Sequence, residues 1–413
     1  MKGGVGRYTY NLAREMAKRS DVDVSVAISA PSGRETDSNN GSSRVAIYGN
    51  ITKKGDKRNS YRLLKVVSEI KPDIVNIQYE RGLYEVDTTI RHTIWRLAHG
   101  STLNQFYKEC PIPTVSTLHT VFPQDEYRAY VKERSLRKEG RFGFLPMPLR
   151  AAIRRTVMTK RYDLLLEVVR LSDEIISPAK TIQDVIKRGT VIYHGAQPAV
   201  QGHGPTTEDD RYRYRSELGL PPDRKLLLAF GYAGSYKGFD VLTQLHLPDG
   251  WSLVVKQTKH ERGFEKPLDI SKSGNNSIIS LQLGYLDDIM LSKLFLACDA
   301  IIFPYRIVSI SGVMFDALAH GLPFIASDLR FFKEFADIGL GIACKRDSIS
   351  FDQAMHTLAN SYDKYKRKVE QFSPNLQWSN VAQKHIELFS RLISSPGIKP
   401  ANKMRKPYDI KKR

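Results

Sequence analysis

The stretch SISGVMFDALAHGLPFIASD, residues 309–328, follows directly on an apolar strand pattern, AIIFPY. Ser311 and Gly312 stand just ahead of a helical pattern, whose first-turn N–H groups have no partners inside the helix and suit phosphate oxygens. Asp316 lies four residues beyond Gly312, one turn along, where a carboxylate can accept hydrogen bonds from ribose hydroxyls while the helix end holds phosphate. The same residues also make an ordinary helix cap with a solvated aspartate, and taken alone they read that way more readily. A second stretch opens the chain: in MKGGVGRYTYNLAREMAKR, glycines 3, 4 and 6 form a turn ahead of an amphipathic helix.

The elements that would position these groups alternate along the chain. Strand patterns read at VDVSVAIS, RVAIYG, DIVNIQ, PTVSTLH and DEIISPA, with helices between them, notably YTYNLAREMAKR and SYRLLKVVSEI. A polar stretch, VQGHGPTTEDDRYRYRSELGLPPDR, follows TVIYHGAQP, and the alternation restarts with KLLLAFG, WSLVVK, SIISLQLG, DAIIFPY and PFIAS. This is the pattern of parallel sheets covered on both faces. It predicts an α/β chain of two Rossmann-like, doubly wound domains facing across a cleft. The boundary falls near residue 198, and ligands bind at the carboxyl ends of the strands.

Bulk composition fits that picture. At 413 residues, 41% hydrophobic and 26% charged, the chain can bury two cores. Cys110, Cys298 and Cys344 are far apart in sequence and odd in number, which leaves neither a disulfide framework nor a CxxC metal site and points to a reducing cytosol. No apolar run reaches the roughly 18 residues of a spanning helix, and the N-terminus lacks a signal-peptide core. The net charge of +19 is concentrated in two places. Between Arg128 and Arg161, eleven Lys and Arg residues oppose only Glu133 and Glu139 and surround the apolar run FGFLPMPL; the tail beyond residue 395 carries a second basic cluster and is expected to be disordered. The first concentration predicts an anionic membrane surface as a partner and a place at the inner face of the membrane, against the alternative of a solvated helical face. A nucleic-acid binder would rest on charge alone, with no RRM, KH or helix-turn-helix signature.

The 309–328 segment resembles the donor site of the GT-B glycosyltransferases of the glycogen-synthase-like, retaining group, of the "glycosyl transferases group 1" type. Further segments match in order: GGVGRYTYNLA, STLHTVFP, SPAKTIQDVI, TVIYHGAQP, FGYAGSYKGFDVL and WSNVAQKHIELF. The resemblance implies an acceptor-side domain over 1–198, a domain binding the nucleotide-sugar over 199–375, a helix over 376–395 crossing back to the first domain, and a basic tail over 396–413. It implies a nucleotide-diphosphate sugar as co-substrate, a glycan or lipid-linked acceptor, retention of anomeric configuration, and no metal or other cofactor. By the resemblance, Gly3, Gly4 and Gly6 form a loop at the donor diphosphate, and Lys237 neutralises that diphosphate as it leaves, although a surface lysine is the plainer reading. Ser311, Gly312, Val313 and Asp316 bind the donor. His119, ending PTVSTLH, stands beside the donor sugar, and Glu80, after DIVNIQ, contacts the acceptor. His194, in VIYHGAQP, is structural.

Two departures qualify the match. The glutamate that such families carry eight residues before the carboxylate matched by Asp316 is Val308, and the arginine after FG is replaced by Tyr232. Arg306 is the candidate to compensate by reaching the diphosphate. The glycine turn also arrives without the central strand that precedes it in the resembling families. Omitting that strand would orphan backbone groups at roughly 1–3 kcal/mol each. The expectation is therefore that Met1 is an internal methionine or the chain a truncated copy, with a Val/Ile/Leu-rich strand encoded upstream. These departures keep open a non-catalytic binding protein or inactive copy alongside the enzyme.

Overall fold

The computed structural model describes residues 4–29, 34–37, 45–49, 51–52, 56, 58–84, 101–136, 144–198, 208–258, 277–284 and 286–395. Gly3 and the basic tail over 396–413 lie outside these residues. The chain forms two compact units. The first comprises residues 1–122, 131–193 and 378–413, and the second residues 123–130 and 194–377.

The described residues of the first unit hold seven strands: β1 (Val24–Ala27), β2 (Arg34–Asp37), β3 (Val45–Tyr48), β4 (Val75–Tyr79), β5 (Thr114–Leu118), β6 (Glu174–Ser177) and β7 (Thr190–Val191). Among the described residues they form two sheets, ordered β1-β3-β2 and β4-β5-β6-β7. All pairs are parallel except β2 with β3. Strand β5 is buried at every position, as a central parallel strand requires. Helix α1 (Gly4–Met16) places Tyr8, Leu12 and Met16 on one face at four-residue spacing. Two helices that matter below are α2 (Gln124–Leu136) and α3 (Met147–Leu171).

In the second unit the strands are β8 (Lys225–Tyr232), β9 (Trp251–Thr258), β10 (Ile278–Ser280), β11 (Ala300–Phe303), β12 (Phe324–Ser327) and β13 (Gly341–Cys344). They form one parallel sheet ordered β10-β9-β8-β11-β12-β13. In chain order within the unit this is 3-2-1-4-5-6, the doubly wound arrangement whose strand order reverses between β8 and β11. The unbroken burial of AIIF in β11 and FIAS in β12 explains why both read as apolar runs without alternation. Helix α4 (Gly312–Ala319) follows β11, and α5 (Trp378–Ser394) ends the described chain. Helix α5 belongs to the first unit and packs on α1, where Trp378, Val381 and Leu388 join Tyr8, Leu12 and Met16 in one core with Val115 and Ile176.

Candidate active site

The strand order reverses between β8 and β11, the place where doubly wound sheets take their ligands, and the loops after those two strands carry most of the second unit's candidate residues. The β8 loop turns through Gly231 and Gly238, both at positive φ. At Gly238, φ +65, a Cβ would collide with the Pro304 carbonyl oxygen and crowd the Arg346 guanidinium at 2.6 Å, so only glycine fits. Between them sits Lys237. The sequence offered it as a surface lysine or a charge carrier; the structure buries it to 8% exposure. Its Nζ donates to the Tyr305 hydroxyl and lies 3.9 Å from the centre of that ring. Burial lowers its pKa to about 7.

Tyr305 follows β11 in the loop that leads to the head of α4, so its bond ties the Lys237 loop to that one. Ser311 caps that helix, its Oγ accepting from the Met314 N–H at 3.3 Å. Gly312 and Val313 open the first turn and are partly exposed, whereas Asp316 is buried to 8% exposure rather than solvated. His194 stacks its ring on Phe315 at 5.5 Å and 8°, and a Cβ on Gly312 would lie 3.7 Å from its Nε2. Its Nδ1–H donates to the Gly195 carbonyl at 2.7 Å, which turns Nε2 toward the helix end. The only signal for it in sequence was position, since VIYHGAQP ends the last strand of the first unit.

Arg306 is engaged elsewhere. Its Nε donates to the Ser235 carbonyl at 3.0 Å and its Nη2 to Asp240 at 2.6 Å, and Arg346 binds the other Asp240 oxygen at 2.7 Å. The two arginines hold the Asp240 carboxyl below the usual carboxylate range. Arg306 thus braces the Lys237 loop. Val308 is buried to 5% exposure and offers no carboxylate. Tyr232, in the arginine's place, is exposed at the end of β8.

In the first unit, the carboxyl ends of β4 and β5 gather another set. His119, 5% exposed, donates from Nε2 to Gln78 Oε1 at 2.9 Å and meets Tyr8 of α1 edge-on at 4.9 Å. Glu80 accepts from the Thr120 hydroxyl and, at 3.1 Å, from the Gly82 N–H, so it ties the β4 and β5 ends together. Gly4 and Gly6 do not form a loop: α1 begins at Gly4, so both lie within its first turn, and a Cβ at Gly4 would meet nothing within 4 Å. At Gly4 no close approach of backbone demands glycine. Among the described residues no three His, Cys, Asp or Glu side chains gather where they could hold a metal ion.

Comparison with known proteins follows this geometry. Residues 2–199 match the family model described as Glycosyltransferase Family 4. No curated protein matches the sequence. HepE of Anabaena, solved in complex with UDP-glucose, is 14% identical, covers 94% of this chain and 96% of its own, and superposes with a TM-score of 0.60. Sucrose-phosphate synthase from Thermosynechococcus elongatus is 14% identical, with 94% of each chain covered and a TM-score of 0.61. WaaG, a glycosyltransferase involved in lipopolysaccharide biosynthesis, is 14% identical over 94% of this chain and 97% of its own, with a TM-score of 0.55. Residues 2–199, just under half of the chain, thus resemble Glycosyltransferase Family 4, and the chain as a whole has the fold of the GT-B glycosyltransferases.

Proposed function

We propose that this GT-B-type glycosyltransferase moves a sugar from a nucleoside-diphosphate sugar to a glycan or lipid-linked acceptor, with retention of anomeric configuration and without a metal ion or other cofactor. One observation carries the reading: the buried Lys237 donates to the Tyr305 hydroxyl where the loops after β8 and β11 meet, and the β11 loop runs on to Ser311 and the open first turn of α4. The crystallised complex of HepE with UDP-glucose supports a nucleotide sugar as the donor class.

In this reading the N–H groups at the head of α4 and the Lys237 ammonium meet the diphosphate. The acceptor hydroxyl forms the new C–O bond at the anomeric carbon as the old bond to phosphate oxygen breaks, and its proton passes to the departing diphosphate oxygen. The electron pair leaves on the diphosphate, where fixed donors stabilise it. Asp316 takes the ribose hydroxyls, Val313 lines the donor site, His119 serves the sugar and Glu80 the acceptor. Arg306 is given no diphosphate contact, because Asp240 and Ser235 already hold its guanidinium.

The test is turnover of a panel of nucleotide sugars by the purified chain, with the anomeric configuration of the product read by NMR and EDTA added in parallel. Sugar transfer or donor hydrolysis undiminished by EDTA, with the donor's anomeric configuration kept, is the expected result. Saturable binding of UDP-glucose without any turnover would assign a non-catalytic binding role, the reading that the buried Val308 favours.

A further inference from the structure

Away from the donor site, the end of α2 and the start of α3 bring four large apolar side chains to the surface of the first unit. Leu136 is 60% exposed, Phe144 83%, Met147 46% and Leu149 48%. They are held together by Arg150, one of the cations that the sequence placed in the basic stretch. The structure takes it out of the surface charge, at 3% exposure. Its Nε and Nη2 donate to the Ser135 carbonyl at 3.1 and 2.8 Å, and its Nη1 donates to the Leu145 carbonyl at 2.6 Å. Arg154 adds a bond to Ser135 Oγ at 3.2 Å. These bonds pin the last residues of α2 to the turn before α3, and Pro146 fixes the entry to that helix. Phe142, the first residue of the apolar run, lies outside the described residues.

A soluble surface normally scatters its large apolar side chains singly. Here four are presented from one braced corner, with Lys132 and Arg155 exposed on the two helices that carry them. The sequence from 128 to 161 has eleven cations against two acids. Even with Arg150 removed from the count, the charge is strongly positive. Protruding apolar side chains within a positive field fit an anionic bilayer: the cations are drawn to the headgroups and the apolar tips enter the boundary with the acyl chains. No described helix is long and apolar enough to cross a membrane. We infer that Leu136, Phe144, Met147 and Leu149 form a docking corner for an anionic lipid surface, on which the protein lies without spanning it. This inference stands independently of the donor site.

The experiment is co-sedimentation of the full chain with vesicles of phosphatidylcholine alone or with 30% phosphatidylglycerol. The comparison protein carries Leu136→Ser, Phe144→Ser, Met147→Ser and Leu149→Ser together, and the thermal midpoints of both are measured first, since exposed side chains should leave them alike. Wild type is expected to bind the anionic vesicles, to ignore phosphatidylcholine and to be released by 0.5 M salt, with the variant at least tenfold weaker at low salt. In a separate Phe144→Trp protein, tryptophan emission should shift to the blue on adding anionic vesicles. Three results would each overturn the inference: no binding to anionic vesicles, equal binding by wild type and the quadruple variant, or no blue shift. The second would trace adhesion to charge elsewhere on the chain.

Discussion

In the proposed reaction the chemistry turns on Lys237, and its burial sets how it behaves with pH. Its pKa near 7, against the usual 10.5, comes from desolvation of the ammonium. Between pH 7 and 10.5 the unfolded chain therefore holds a proton that the folded chain has lost, so stability rises with pH across that window. Replacing Lys237 with Met keeps the packing and should flatten the rise, as read from urea unfolding at pH 7 and pH 9. A diphosphate beside Nζ favours the charged form and raises the lysine's pKa in the complex. UDP-glucose affinity should then be constant below pH 7 and fall above it, by up to tenfold per unit, in calorimetric titrations; Lys237→Met should lose that dependence. The same variant should cost on the order of 10²–10³ in turnover, because the leaving diphosphate loses its cation. Asp316→Ala should instead weaken donor binding, since ribose contacts are alike in ground and transition states. An affinity that does not vary with pH in wild type would remove Lys237 from the donor site.

At the scale of elements, the β8 and β11 ends are held in place by groups that never touch a ligand. Asp299, 4% exposed, accepts from Arg215 at 2.8 Å and the Leu226 N–H at 2.7 Å, and it also pairs with Arg211, so it locks the start of β11 to the start of β8. Asp299→Ala would take the carboxylate from the buried Arg215 and the partly buried Arg211 and should cost about 3 kcal/mol in chemical denaturation. Gly238→Ala should cost more than about 1 kcal/mol and also abolish UDP-glucose binding, because relieving the clash with Pro304 must move the Lys237 loop. These elements also show what the sequence could and could not reveal. KLLLAFG, AIIFPY and PFIAS were legible as strands because buried parallel strands are apolar throughout. The antiparallel β2 was not, because RETD has neither apolar run nor alternation; the two-residue β7 is too short to show a period, and β13, GIAC, is a partly exposed edge strand without a long apolar run. Ser311 and Gly312 were legible from cap chemistry, whereas the burial of Lys237, the brace role of Arg306 and the stacking of His194 depend on partners distant in sequence.

On the scale of the whole molecule, the chain does not finish one unit before starting the next. Residues 123–130, from the middle of the first unit's sequence, belong to the second, where Arg330 pairs with Asp125 at 2.5 Å and its N–H reaches Glu126 at 2.8 Å. The last described helix returns the other way. Trp378 meets Tyr8 edge-on at 5.2 Å, and the Tyr8 hydroxyl donates to His385 Nε2 at 3.3 Å while His385 Nδ1 donates to the Val381 carbonyl. Burial lowers the pKa of His385 to about 4, so the imidazole is neutral at pH 7 and its Nε2 can accept the hydrogen bond from the phenol. The first unit's core is thus completed by residues more than 180 positions after the rest of it. Ending the chain after Gln377 should therefore loosen the first unit and spare the second, although the missing residues adjoin the second in sequence. Hydrogen exchange read by mass spectrometry should show lost protection over α1, β5 and β6, with β8, β11 and β12 unchanged. Trp378→Ala should reproduce the pattern more mildly, at about 3–5 kcal/mol for a buried indole. Loss of protection spread evenly over both units would mean that they fold as one, and that α5 stabilises the chain by some route other than the core it shares with α1.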